Sequence, residues 1–164
     1  MQVKVKVKKL NPAAVIPTKA HPTDAGFDLV ATSCDIDEND NVVYGTGLAF
    51  EIPEGYVGHI YPRSSICKQD LALSNAVGVI DSHYRGEVMA KFKPTLAVNR
   101  FVHSDKDDDT YMIVRPLRWP HHAYNVGERI AQLIITPIPA VEMVEADELS
   151  ETDRGEGGYG STGL

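Results

Sequence analysis

Two groups of residues have the types and spacing to act on a phosphorylated ligand. The first closes the chain: Arg154, glycines at 155, 157 and 158, then Tyr159, Gly160, Ser161 and Thr162. Arginine and hydroxyl groups donate to phosphate oxygens, clustered glycines let backbone N–H groups converge on an anion, and one aromatic ring can stack on a base. The segment reads either as a lid over a nucleoside triphosphate or as an ordinary flexible tail, since glycine loses the most backbone freedom on ordering. The second group lies mid-chain. Asp81 follows an apolar run at 77–80 and precedes a turn. A carboxylate fixed there accepts a proton from water, though a turn aspartate bonded to its own backbone has the same signature. Asn75 offers both a donor and an acceptor to a base edge, with the backbone of 76–79, Val79 included, beside it; it reads equally as a turn asparagine. Arg63 and Ser64 follow Pro62, where a helix N-terminus would add donors for phosphate; Arg63 reads alternatively as an ion-pair partner of Asp28 or Asp81. Gln132 lies in an otherwise apolar run at 130–135 and needs a partner if buried, whereas Arg129 alternates onto the face of Ala131 and reads as structural.

The elements that must hold these groups are strands. Val3, Val5 and Val7 alternate with Lys4, Lys6 and Lys8, the period of a half-buried strand. Further short apolar runs at 27–31, 42–50, 56–61, 77–80, 87–92, 111–114 and 130–135 stand between turn signals. The 13 glycines and 10 prolines leave room for one short helix, predicted over 65–71. Many short strands predict an all-β fold, a distorted jelly roll or β-clip barrel with that one helix and a flexible C-terminal arm. The predicted core is 1–144, with a long insertion at about 94–125, and the arm is 145–164.

At 164 residues and 43% hydrophobic content the chain buries one core. Its net charge of −7 argues against a general nucleic-acid binder and requires local arginines wherever a polyphosphate is held. No apolar run reaches the length of a membrane span, and the N-terminus has no continuous apolar stretch, so a cytoplasmic protein is expected (host cytoplasm if viral). Cys34 and Cys67 read as reduced, partly buried thiols. The six histidines lack zinc-type spacing, so no protein metal site is expected.

Five segments in order carry a resemblance: Asp24-Ala25-Gly26-Phe27-Asp28-Leu29; Tyr61-Pro62-Arg63-Ser64-Ser65; residues 75–86, ending Ile80-Asp81-Ser82-His83-Tyr84-Arg85-Gly86; Gly127-Glu128-Arg129-Ile130-Ala131-Gln132-Leu133; and the C-terminal Gly160-Ser161-Thr162-Gly163. Together they resemble the motifs of the homotrimeric dUTPase family over nearly the whole chain, with 94–125 as the gap. The resemblance implies hydrolysis of dUTP to dUMP and pyrophosphate, by in-line attack of a water activated by Asp81 on the α-phosphorus. That reaction keeps uracil out of DNA and supplies dUMP for thymidylate synthesis. By resemblance Tyr84 packs under the deoxyribose and excludes a 2′-hydroxyl, and Asn75 with the 76–79 hairpin reads uracil and rejects the thymine methyl. Arg63, Ser64, Ser65 and Gln132 serve the phosphates or the backbone around them. Arg154, Ser161 and Thr162 clamp them, Gly160 lets the lid approach, and Tyr159 stacks on the base. Mg²⁺ is expected on the substrate phosphates, with Asp28 touching its water shell or orienting Arg63. The family forms homotrimers with sites between subunits. Three positions depart from its pattern: Ser65 for glycine, His83 for an acidic residue and Tyr159 for phenylalanine.

Two other readings stay open. A dCTP deaminase shares the fold but needs a glutamate where Lys91 falls, Glu87 being too early. A regulatory protein could keep the pocket as a sensor. The insertion reads as a passive surface hairpin or as a docking site for a protein partner, anchored by Trp119 with Arg115 and Arg118.

Overall fold

The computed structural model describes residues 3–95, 98–103, 110–114 and 122–158. In chain order the strands are β1 Lys6–Lys9, β2 Phe27–Val30, β3 Ser33–Ile36, β4 Val42–Gly45, β5 Leu48–Glu51, β6 Tyr56–Pro62, β7 Leu71–Leu73, β8 Gly78–Ile80, β9 Met89–Pro94, β10 Val98–His103, β11 Thr110–Val114 and β12 Arg129–Pro137. Two four-stranded sheets carry the architecture, in orders β2-β12-β6-β8 and β3-β4-β9-β7. All pairings are antiparallel, and two-stranded ribbons β1-β5 and β10-β11 complete the set. The expected jelly-roll-like, nearly all-β fold is the observed one.

Alternation sets the core. Leu29, Ile60, Ala131 and Leu133 of the first sheet and Val42, Tyr44, Ala90 and Phe92 of the second join one buried cluster. The rings of Tyr44, Phe92 and Tyr124 meet edge-on or tilted, with centroids 5.8–6.2 Å apart. Tyr44 satisfies its hydroxyl by donating to the Tyr124 carbonyl at 2.8 Å. Tyr124 in turn bonds Ser65 through its own hydroxyl at 3.1 Å, so the core reaches the Arg63 segment directly.

Three expectations need correction. The run at 42–50 is two strands, because Gly47 turns the chain in the left-handed region at φ +65° and buried Thr46 donates to the Val88 carbonyl at 2.6 Å. The predicted helix over 65–71 is a 3₁₀ turn, Ser64–Lys68. Its bonds run from Ile66 N–H to the Arg63 carbonyl and from Gln69 N–H to the Ile66 carbonyl. It stops because Asp70 exchanges bonds with His122, its N–H to that residue's carbonyl and its carboxylate from that residue's N–H, drawing the chain into β7. Hydrogen-bonded pairing of β1 starts only at Lys6, although Val3, Val5 and Val7 keep their half-buried alternation.

Beyond β12 the chain runs without strand pairing from 138 to 158, exposing Val141, Met143, Val144 and Leu149. Both cysteines are free, Cys34 half-buried and Cys67 exposed. Among the described residues no helix is long and apolar enough to cross a membrane.

Burial pushes the ionisation of the Tyr44 hydroxyl well above the usual tyrosine value. A group whose folded pKa is raised supports the fold fully below its unfolded pKa, about 10, and that support is lost as pH rises further. We expect stability in urea to fall above about pH 10 and Tyr44→Phe to flatten this decline. At neutral pH the same substitution costs about 1–2 kcal/mol, from the Tyr124 carbonyl left without its donor.

Candidate functional site

The basic cleft is built on β12. Gln132 stands opposite Asp28 of β2 on one side and Tyr61 of β6 on the other. The Asp28 carboxylate accepts Arg63 Nε at 2.7 Å on one oxygen and Arg129 Nη1 at 3.1 Å on the other. One half-buried carboxylate thus fixes two guanidiniums and leaves the trio one unit positive. Of the two ion-pair partners open for Arg63, Asp28 is the one it uses. Its Nη1 also lies 3.4 Å from Ser65 Oγ and from the Arg129 carbonyl. Gln132 finds its required partner in the Pro62 carbonyl, to which Nε2 donates at 3.0 Å. Its Oε1 occupies the space a side chain at position 26 would take, which explains Gly26. Asp28, Arg63, Ser64, Arg129 and Gln132 line one cleft of about 380 Å³. Ser65, with Tyr124 and the same two arginines, lines a neighbouring one of about 300 Å³.

Arg129 is the residue that the pattern misassigned to the Ala131 face. The register of β12 against β2 shifts between Arg129 and Ala131, so Ile130 and Ala131 both turn inward and are fully buried. The bulge returns Arg129 to the outer side, with Asp28 and Gln132. Only the consecutive apolar pair Ile130-Ala131 hints at it in the sequence.

The second cleft, about 360 Å³, forms at the β7–β8 connection and brings together Asn75, Val79, Asp81, Tyr84, Glu87 and Lys91; the expected hairpin at 76–79 is a loop between two sheets, because β7 pairs with β9 and β8 with β6. Ala76 holds φ +58°, a conformation that costs a non-glycine residue about 1–2 kcal/mol. It lets the Val77 N–H reach the Asn75 carbonyl at 2.6 Å, so the loop between β7 and β8 curls at its tip. Asn75 and Val79 are exposed. Asp81 closes the following turn with its main-chain carbonyl, which accepts Tyr84 N–H at 3.0 Å. Among the described residues no hydrogen bond ties its carboxylate, so the turn-capping alternative does not hold. The Tyr84 ring folds back over Gly86, where a Cβ would lie 2.7 Å from the ring carbon Cζ. Its hydroxyl donates to the Glu87 carbonyl at 3.0 Å; the residue is 43% exposed, so within this chain it is not a core tyrosine.

Lys91, the position a deaminase would give to glutamate, pairs with Asp37 at 3.0 Å and accepts Ser74 N–H on its carbonyl. Hydrogen bonds from the Asn41 backbone first, and then from Lys91, the Asn41 side chain and the Asn39 backbone, hold the Asp37 carboxyl down to about 2. Asn41 in turn accepts Ser74 Oγ at 3.0 Å, bracing the residue before Asn75. No sequence signal marked this brace, because its members lie far apart in the chain.

The two clefts do not meet within one chain. Ile80 pairs with Gly58, which sets Asp81 beside Val57 at the start of β6, whereas Arg63 follows the end of the same strand. Six residues of extended backbone separate the two levels by roughly 20 Å. Arg154 lies apart from both, its Nε donating to the Gly157 carbonyl at 2.9 Å within a turn. Tyr159, Gly160, Ser161 and Thr162 lie outside the described residues, as do Arg115, Arg118 and Trp119. Among the described residues no group of three or more His, Cys, Asp or Glu side chains is placed to hold a metal ion.

The dUTPase family model matches residues 13–96 and 121–163 and passes over 97–120. The protein called deoxyuridine 5′-triphosphate nucleotidohydrolase in Nautilia profundicola is 40% identical, across 98% of this chain and 99% of its own. The dUTPase of Staphylococcus bacteriophage 80alpha, solved with dUpNHpp, is similar with a TM-score of 0.75 and 31% identity, covering 98% of this chain and 99% of that one. The dUTPase from phage phi11 of S. aureus, solved in a study visualising its species-specific insert, is similar with a TM-score of 0.67 and 26% identity, covering 91% and 99%.

The contact between Gly26 and Gln132 can be tested without any ligand. Gly26→Ala must push the glutamine off the Pro62 carbonyl, and we expect a loss of about 1–3 kcal/mol in urea unfolding. Combining it with Gln132→Ala should recover part of that loss, because the overpacking disappears with the side chain.

Proposed function

This chain belongs to the dUTPase family, and from that membership we propose that it hydrolyses dUTP to dUMP and pyrophosphate in sites shared between the copies of a homotrimer. The observation that carries this reading is the cleft at the β7–β8 loop, lined by Asn75, Val79, Tyr84 and Asp81, whose carboxylate has no hydrogen-bond partner among the described residues. Uracil enters the curled tip, where the Asn75 amide and the backbone of 76–79 meet its acceptor–donor–acceptor edge and leave no room for a methyl group. The Tyr84 ring lies under the deoxyribose. Asp81 takes a proton from water as the water oxygen bonds the α-phosphorus; the bond to the bridging oxygen breaks, and pyrophosphate leaves with the electron pair.

The phosphates lie on a neighbour's basic cleft, against Arg63, Ser64 and Ser65, with Gln132 shaping its floor and Asp28 orienting both guanidiniums. Arg154 closes over the terminal phosphate, Ser161 and Thr162 donate beside it, Gly160 permits the approach and Tyr159 stacks on uracil. Mg²⁺ arrives on the triphosphate as part of the substrate and spreads its negative charge. Both Asp28 oxygens are already engaged by arginine, which suits a metal held by phosphate and water. Most of the rate then comes from positioning and charge stabilisation. In the cytoplasm, or a host's if the gene is viral, the reaction keeps uracil out of DNA and feeds thymidylate synthesis.

Strands β10 and β11 pair only with each other among the described residues, and the family match passes over both of them. We assign this insertion no catalytic step. None of its described residues lines either cleft, and it would serve as a passive surface hairpin or as a platform for a protein partner.

Pyrophosphate release measured with dUTP, dTTP, UTP and dCTP tests the activity. Fast release from dUTP alone is expected, and ammonia from dCTP would move the chain to the deaminases. Asp81→Asn should lower turnover by about 10²–10⁴-fold. Asp81→Ala and Arg63→Ala chains, each inactive alone, should regain activity when unfolded together and reassembled, because mixed trimers contain some sites with both native residues. No recovery would mean that each chain completes its own site. Truncation before Arg154 should abolish turnover while assembly persists.

A further inference from the structure

Glu87 links the tether of the Tyr84 ring to the β4–β5 turn. Its main-chain carbonyl accepts the Tyr84 hydroxyl at 3.0 Å. Its carboxylate accepts the N–H of buried Gly47 at 2.7 Å, inside the turn between β4 and β5. The neighbourhood makes room for that carboxylate. A Cβ on Gly45 would lie 2.8 Å from Glu87 Oε1, and Gly47 holds the left-handed φ that aims its N–H at it. The next residue locks the same junction: Val88 donates to the Leu48 carbonyl at 2.9 Å and its own carbonyl accepts buried Thr46 Oγ1 at 2.6 Å. Tyr84, by contrast, is 43% exposed, its ring rests on Gly86, and among the described residues this is the one polar tether of its hydroxyl. Its position is therefore set by where the Glu87 carbonyl stands, and that is set by the half-buried carboxylate bonded to the β4–β5 turn.

We propose that Glu87 is a positioning residue for sugar selection: by anchoring the Tyr84 tether to Gly47, it makes the ring a rigid stop against a 2′-hydroxyl. The inference rests on the reading above that Tyr84 faces the deoxyribose. Exclusion by contact works only if the excluding group cannot yield. A ring free to move by a few tenths of an ångström would admit UTP while still accepting dUTP.

The test compares kcat and KM for dUTP and UTP on the full-length assembled protein. Glu87→Ala should lower the dUTP-to-UTP ratio of kcat/KM by about tenfold, mainly through better use of UTP. Glu87→Gln, which keeps an acceptor oxygen for Gly47, should hold the ratio within about twofold of the native one. Tyr84→Phe, which cuts the tether from the other end, should lower the ratio as Glu87→Ala does, and the double variant should go no lower than either. A Glu87→Ala protein that melts earlier and turns over both nucleotides more slowly with an unchanged ratio overturns the proposal. An unchanged ratio in Tyr84→Phe does so even if Glu87→Ala fails to fold. Tyr84→Ala separates the two levels. An unchanged ratio there sinks the sugar-facing reading and this inference with it, whereas a collapsed ratio beside an unaffected Glu87→Ala sinks only the role of Glu87.

Discussion

The double pairing of β12, with β2 on one side and β6 on the other, is the constraint from which the basic cleft follows. Side chains on a strand alternate faces, so a slip of one residue would bury Gln132 and expose Ala131 and Leu133. The core forbids that slip, because Ala131 and Leu133 belong to the buried cluster. Packing energy far from any ligand thus holds Gln132 opposite Asp28, and Asp28 holds Arg63 and Arg129. The bulge before Ala131 is the one irregularity, and it adds the second arginine to the face that the first already occupies.

That arrangement also resolves a charge problem. An acidic chain of net charge −7 repels a polyphosphate at long range, so attraction has to be local. Two arginines side by side would repel each other and splay into water. A single carboxylate between them, about one fifth exposed, keeps them together and pre-oriented while leaving net positive charge. The pairing stores orientation, and its own stabilising contribution is modest at such partial exposure.

Much of this was legible in the sequence, for reasons that differ by residue. Asp81, Asn75 and Tyr84 could be singled out because one short segment carries them, and local chain geometry is enough to bring them to one cleft. The strand periods of Val3–Val5–Val7 and of 130–135 follow from burial on one face. The predicted helix at 65–71 failed because its limit is a long-range exchange between Asp70 and His122. Arg129 was placed on the wrong face because periodicity assumes an unbroken ladder, and the split at Gly47 is marked in the sequence only by the Gly45-Thr46-Gly47 interruption of an otherwise apolar run. The bracing of the β7–β8 loop by Asp37, Asn41, Ser74 and Lys91 depends on three chain segments meeting, which no local pattern encodes. The distance between Asp81 and Arg63 is of the same kind, since it appears only once the register of β6 with β8 and β12 is known.

Strand β6 works as a spacer, and under the proposed shared-site arrangement a spacer of that length makes catalysis a matter of mass action. If sites are completed only across chains, the specific activity per chain depends on how many chains are assembled, and so on protein concentration relative to the dissociation constant of the oligomer. Dilution would then silence the enzyme without unfolding it, and a cell making few copies would have less than proportionate activity. A newly made chain would be inert toward its substrate until it found its neighbours, and onset of the activity would be timed by assembly and not by synthesis.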